Sequence, residues 1–101
     1  MTAKLTVLYG QPEDPQAFEA YYSDKHMPLA RAIPGLQRIE VGKVLGAADG
    51  GPAPYYRIAE LVFADVATLQ ASMSTEEGKA AGGDTANFAT GGVTMFVSQN
   101  D

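Results

Sequence analysis

Between Ala3 and Tyr9 the chain alternates, with Leu5, Val7 and Tyr9 on one side and Lys4, Thr6 and Leu8 on the other. Successive side chains of an extended chain point to opposite faces, so this pattern predicts a strand. Gly10-Gln11-Pro12-Glu13 breaks it as a loop. The period then changes. Asp14 followed by Pro15 is an N-cap with proline at the first helical position, and Phe18, Tyr21, Tyr22 and Lys25 recur at helical spacing, the first three as an aromatic stripe. Met27 precedes Pro28, which biases it out of the α region. The helix is therefore expected to end near His26, with Pro28 to Ile33 as a further turn.

After Pro34-Gly35, Leu36 to Leu45 reads as a second strand with Gly42 marking a bulge. Gly46 to Pro54 reads as a flexible hairpin loop, and Tyr55 to Ala64 as a third strand, rich in aromatic and β-branched residues. Asp65 caps a helix whose Val66, Leu69 and Met73 are spaced to face a core. Ser74-Thr75-Glu76-Glu77 fits a capping box, Ser with Glu three residues on, and starts a short helix that Gly82-Gly83 loosens before Asp84 to Phe88. Gly91-Gly92 marks a turn, and Val93 to Ser98 is the last strand.

The order β-α-β-β-α-β is the ferredoxin-like arrangement: one α+β domain over residues 1–101, its antiparallel four-stranded sheet carrying both helices on one face. The other face should be polar if it meets water, yet Phe96 lies opposite Val93, Met95 and Val97, and Leu8 joins Lys4 and Thr6. A second copy of the chain covering that face through a two-fold contact explains this pattern, so a homodimer with its sheets face to face is expected.

Composition narrows the function. The net charge is −5 with no basic run or basic–aromatic stripe, which argues against nucleic acid. Cysteine is absent, which removes disulfides, thiolate nucleophiles and thiolate–metal sites, and one histidine with scattered carboxylates is a poor metal set. No long apolar segment follows Met1, so neither a signal peptide nor a membrane span is expected, and a cytoplasmic location is the default.

His26 is the only histidine and the obvious proton-transfer candidate near neutral pH. The alternative is a histidine that packs against or hydrogen-bonds a helix end. Tyr22 stands four residues before His26 on the same helical face, whereas Tyr21 points about 100° away from Tyr22. Either tyrosine could donate to a substrate oxygen or pack with a wet hydroxyl. Asp24 does not share the face of His26, which disfavours a local dyad. Arg38, Glu40, Arg57 and Glu60 could form a polar pocket wall or an interfacial ion pair, cross-strand pairing being the plainer reading. Tyr55 and Tyr56 are expected to pack, and Asp84 and Asn87 to organise the turn before the last strand. The glycines match no phosphate-binding motif.

Tyr22-Ser23-Asp24-Lys25-His26-Met27-Pro28-Leu29 resembles the Y-x-x-x-H-x-P-L signature of the EthD family, and Asp84-Thr85-Ala86-Asn87-Phe88 is similar to that family's D-x-x-N-F element. The resemblance spans essentially the whole chain. It implies a dimeric α/β barrel with a pocket between sheet and helices in each subunit, and relatives that include monooxygenases, cyclases, decarboxylases and isomerases, many without metal or organic cofactor. Founding members are linked to ether degradation. The resulting expectation is a cofactor-independent enzyme, an oxidoreductase of monooxygenase type or an isomerase or cyclase, acting on a small hydrophobic aromatic or polyketide-like molecule. His26 would be its acid/base, and Tyr22, Tyr21, Arg38 and Phe88 its substrate contacts. The alternative is a non-catalytic dimer that binds such a metabolite.

Overall fold

The computed structural model describes residues 1–101. Its strands are β1 (Ala3–Tyr9), β2 (Arg38–Lys43), β3 (Arg57–Phe63) and β4 (Val93–Gln99), and its helices α1 (Pro15–Tyr21), α2 (Met27–Arg31), α3 (Val66–Met73) and α4 (Glu76–Asp84). The strands form one antiparallel sheet in the order β2-β3-β1-β4. β1 and β3, the two inner strands, bury Ala3, Leu5, Val7, Tyr9, Ala59, Leu61 and Phe63. Phe18, Met27, Leu69 and Ala81 from the helices complete that layer. The ferredoxin-like architecture read from the sequence is the one observed.

The start signals behave as their chemistry dictates. Asp14 Oδ1 accepts from Ala17 N at 3.2 Å, and Asp65 Oδ1 from Thr68 N at 2.7 Å, each satisfying an N–H that the first helical turn leaves free. The capping box shifts by one residue. Thr75, not Ser74, caps α4 by accepting from Gly78 N at 3.0 Å, while Ser74 closes α3 by donating to the Gln70 carbonyl at 2.8 Å. Gly78 then allows α4 to lie against the end of α3, because a Cβ there would stand 2.6 Å from Met73 Cα. Gly82 and Gly83 do not loosen α4, which continues to Asp84. Glycine lowers helix propensity by roughly 1 kcal/mol per residue, a cost that the Thr75 cap and the burial of Ala81 offset.

Other boundaries differ from the sequence reading. β2 and β3 are shorter, and Leu45, expected to end β2, lies outside the sheet at 94% exposure. Gly42 pairs with Ile58 in unbroken register, so there is no bulge. The largest difference lies at Pro28. The helix does not end at His26 but passes through a π turn, Tyr22–His26, straight into α2. Met27 is helical (φ −60°, ψ −39°) despite preceding proline, and its N–H reaches back five residues to the Tyr22 carbonyl. Proline lacks the N–H that an α register would use at that position, and the wider turn is how a helix absorbs such a local misfit.

Candidate active site

The π turn holds His26 inside the protein, only 6% exposed, facing the end of α4. There Nδ1 lies 2.9 Å from Asp84 Oδ2. Asp84 is itself 8% exposed and sits in the last turn of α4, where the helix dipole disfavours a negative charge. Three donors compensate. Oδ1 accepts from Tyr21 Oη at 2.7 Å and from Asn87 Nδ2 at 2.9 Å, and His26 takes Oδ2. Burial pushes the Asp84 carboxyl up, but the hydrogen bonds from Tyr21, Asn87 and His26, with the imidazole's charge, outweigh it and hold the pKa below the ordinary 3.8. An ionised Asp84 accepts only, so in neutral imidazole the proton resides on Nδ1 and Nε2 carries the lone pair.

Nε2 faces Tyr9 Oη at 3.4 Å, too long for a strong O–H···N bond. Tyr9 is buried, and desolvation raises its pKa far above the ordinary tyrosine value, so it remains a neutral hydroxyl. Aromatic rings fix the imidazole from two sides. Tyr22 stacks on it with centroids 5.5 Å apart, and Phe88 is tilted against it at 4.7 Å. The 3₁₀ turn Thr85–Asn87 continues α4 and delivers both Asn87 and Phe88 to the cluster.

Beneath the helices a small apolar cleft, partly open to solvent, lies between this cluster and the sheet. Of its 15 lining residues 12 are hydrophobic, and none is Lys, Arg, Asp or Glu. Tyr9, Tyr22 and His26 supply its polar chemistry together with Thr85, whose hydroxyl already donates to the Gly82 carbonyl at 2.8 Å. No three His, Cys, Asp or Glu side chains gather as a metal-binding cluster.

The residues singled out in the sequence divide. Tyr22 and His26 line the cleft together. Tyr21 does not, and supports Asp84 from behind; Phe88 presses on the imidazole without lining the cleft. Arg38 stands apart on the edge strand β2, its side chain 58% exposed and bonded to Glu40 at 2.8 Å. The cross-strand ion pair is Lys4–Glu60 at 3.2 Å. Arg57 points to the helices instead, bonded to Glu19 of α1 and lying 4.9 Å over the Tyr22 ring. Tyr56 packs edge-on against Phe18.

Two residues carry more than the sequence suggested. Asp84, read as a turn former, is the partner of His26, and Tyr9, read as a core strand residue, faces Nε2. The signal for Asp84 lay in the D-x-x-N-F element, whose Asp and Asn both point into one hydrogen-bond cluster. Tyr9 had no signal beyond its place on the buried face of β1.

The chain is 40% identical over 98 residues, 97% of its length and 94% of the relative's, to an uncharacterized 11.0 kDa protein in the thcB-thcC intergenic region of Rhodococcus erythropolis. An EthD family protein from Bacillus halodurans, known from its crystal structure, superposes with a TM-score of 0.91 at 40% identity, both chains covered in full. A dimeric ferredoxin-like protein of unknown function from Thermobifida fusca shares the fold at 19% identity, with a TM-score of 0.71 over 99% of this chain and 92% of that one. No helix is long and apolar enough to cross a membrane. The family model described as the EthD domain matches residues 10–92, a span that contains the π turn, His26 and Asp84, and the chain belongs to the EthD family.

Proposed function

We propose that this protein is a homodimeric enzyme that moves a proton on a small hydrophobic, aromatic or polyketide-like molecule, with His26 as the acid/base. The observation that carries this reading is the buried Asp84–His26 pair, which leaves Nε2 facing an apolar cleft. Nε2 would remove a proton from an activated carbon or a phenol, and the Asp84 carboxylate would stabilise the imidazolium that forms. Tyr9 Oη stands beside Nε2, where it can donate to oxygen as charge develops. The proton transfer itself calls on no metal or organic cofactor. It would be the common first step of oxygenation, isomerisation or cyclisation. A binding protein needs the apolar lining but gains nothing from a carboxylate held behind its histidine, which favours the enzyme.

The dimer enters through β4. Val93, Met95 and Val97 on its helix-side face are 38–49% exposed, and Phe96 on the other is 48% exposed. An edge strand that exposes three apolar side chains on one face and Phe96 on the other would invite aggregation unless a partner covers it. Met95 also lines the cleft, so that cover would reach the cleft wall.

The test is exchange of the acidic C–H protons of 2-tetralone in D₂O, followed by NMR. Wild type should accelerate exchange, and His26→Ala should lose about 10²–10⁴-fold, the usual worth of a positioned acid/base, while staying folded. Acceleration equal in the variant refutes His26 as the base. Affinity without any acceleration in wild type would favour the binding protein.

A further inference from the structure

Tyr22 has a feature that the proton transfer does not use. The residue is 4% exposed, it lines the cleft, and its hydroxyl oxygen is a buried side-chain polar atom without a hydrogen-bond partner. Buried hydroxyls in folded proteins are nearly always paired, because leaving one unpaired forfeits the hydrogen bonds it made to water. Its ring has little freedom to seek a partner. Phe18 stacks on it at 5.6 Å, the imidazole of His26 at 5.5 Å, and Tyr9 meets it edge-on at 5.6 Å. The Arg57 guanidinium lies over the ring and polarises it, which makes the O–H a better donor. Burial foremost pushes the phenol pKa up to about 12, so the group stays protonated.

The rest of the cleft restricts what could accept this hydrogen bond. An anionic ligand would need a counter-charge, and the lining offers no Lys or Arg. Of the two cations near Tyr22, Arg57 is already held through Nε and Nη2 by the two carboxylate oxygens of Glu19, and Arg31 is exposed and outside the lining. The net charge of −5 further opposes anions.

We infer that the Tyr22 hydroxyl is the anchor for the oxygen of an uncharged ligand, so that the cleft takes neutral ketones, quinones or phenols and rejects carboxylates and phosphates. This rests on the cleft being the substrate site proposed above. It places two functions on adjacent turns of one helix: Tyr22 grips the oxygen, and His26 meets the acidic proton beside it.

The test compares three probes of similar size, 2-tetralone, tetralin and 2-naphthoate, by chemical-shift titration of wild type and Tyr22→Phe. The variant should bind 2-tetralone roughly tenfold more weakly, about 1.4 kcal/mol, and tetralin within about twofold of wild type. In wild type, 2-naphthoate should bind more weakly than 2-tetralone. Without ligand the variant should melt no lower than wild type, since it loses an unpaired hydroxyl and no contact. Equal losses for 2-tetralone and tetralin, 2-naphthoate binding as tightly as 2-tetralone, no binding of 2-tetralone at millimolar concentration, or a lower melting temperature would each overturn the assignment. Exchange of 2-tetralone is read separately. Its absence with the affinity pattern intact sinks the proton-transfer reading alone, and its presence with the pattern lost sinks the Tyr22 assignment alone.

Discussion

Replacing Asp84 by Asn keeps the shape of the side chain and removes the charge that organises the cluster. Three donors converge on the native carboxylate, from Tyr21, Asn87 and His26, at 2.7–2.9 Å. An amide oxygen can still accept from Tyr21 and Asn87, but the amide nitrogen then faces His26 Nδ1. Nδ1 must accept rather than donate, which moves the imidazole proton to Nε2 and blocks it as a base. The native bond to an ionised acceptor belongs to a class worth about 1.5–3 kcal/mol and the neutral bond that replaces it to one worth about 0.5–1.5, a net loss of about 1–1.5 kcal/mol. For a domain near 100 residues, each kcal/mol lowers the melting temperature by roughly 4–8 °C, so Asp84→Asn should melt about 4–12 °C lower at pH 7. The sign with pH follows from the depressed carboxyl pKa. That contribution is complete above 3.8 and fades as pH falls through the still lower folded-state value. The gap between wild type and Asp84→Asn should therefore narrow below about pH 4. Thermal unfolding by circular dichroism from pH 2.5 to 7 measures it, with 2-tetralone exchange at pH 7 alongside. A variant that melts with wild type at pH 7, or a gap undiminished at pH 2.5, refutes the ionic role of Asp84.

Two further expectations follow from the packing. Phe96→Glu replaces the large exposed apolar side chain of β4's outer face by a charge and should convert a dimer to monomer in sedimentation velocity; a variant that sediments as wild type would show that this face is not the contact. Gly78→Ala drives a methyl into the backbone of Met73 and should destabilise by about 1–3 kcal/mol in urea unfolding, with an unchanged midpoint arguing that α3 and α4 are free to separate.

The element order was legible because it rests on local rules. Alternation marked β1, and Asp14-Pro15 and Asp65 marked two helix starts. Errors arose where two local rules competed. Proline at 28 argued for a helix end, while the packing of Met27 and Ala30 against the core favoured continuation, and the π turn satisfied both. Thr75 and Ser74 are both good caps, and only the path of the chain out of α3 decided between them. The candidate site was half legible. The lone histidine and its tyrosine four residues earlier were visible as one helical face, and they do share the cleft. Asp84 lies 58 residues from His26, and neither periodicity nor spacing relates two positions on different elements. Arg38 drew notice for its charge, but an edge strand left it in water.

The wide turn before Pro28 also constrains how this chain can vary. A helical segment ordinarily tolerates most exchanges on its exposed side, and Ser23, Asp24 and Lys25 are exposed. Length is another matter. Removing one of these residues would bring back an ordinary helical register and turn everything on one side of the cut by roughly 100° relative to the other. Either Tyr22 or His26 would then leave the cleft, and α2 would meet the sheet with the wrong residues. Three residues that look like unremarkable helix surface, Ser23 to Lys25, therefore act as a spacer of fixed count, open to substitution and closed to deletion.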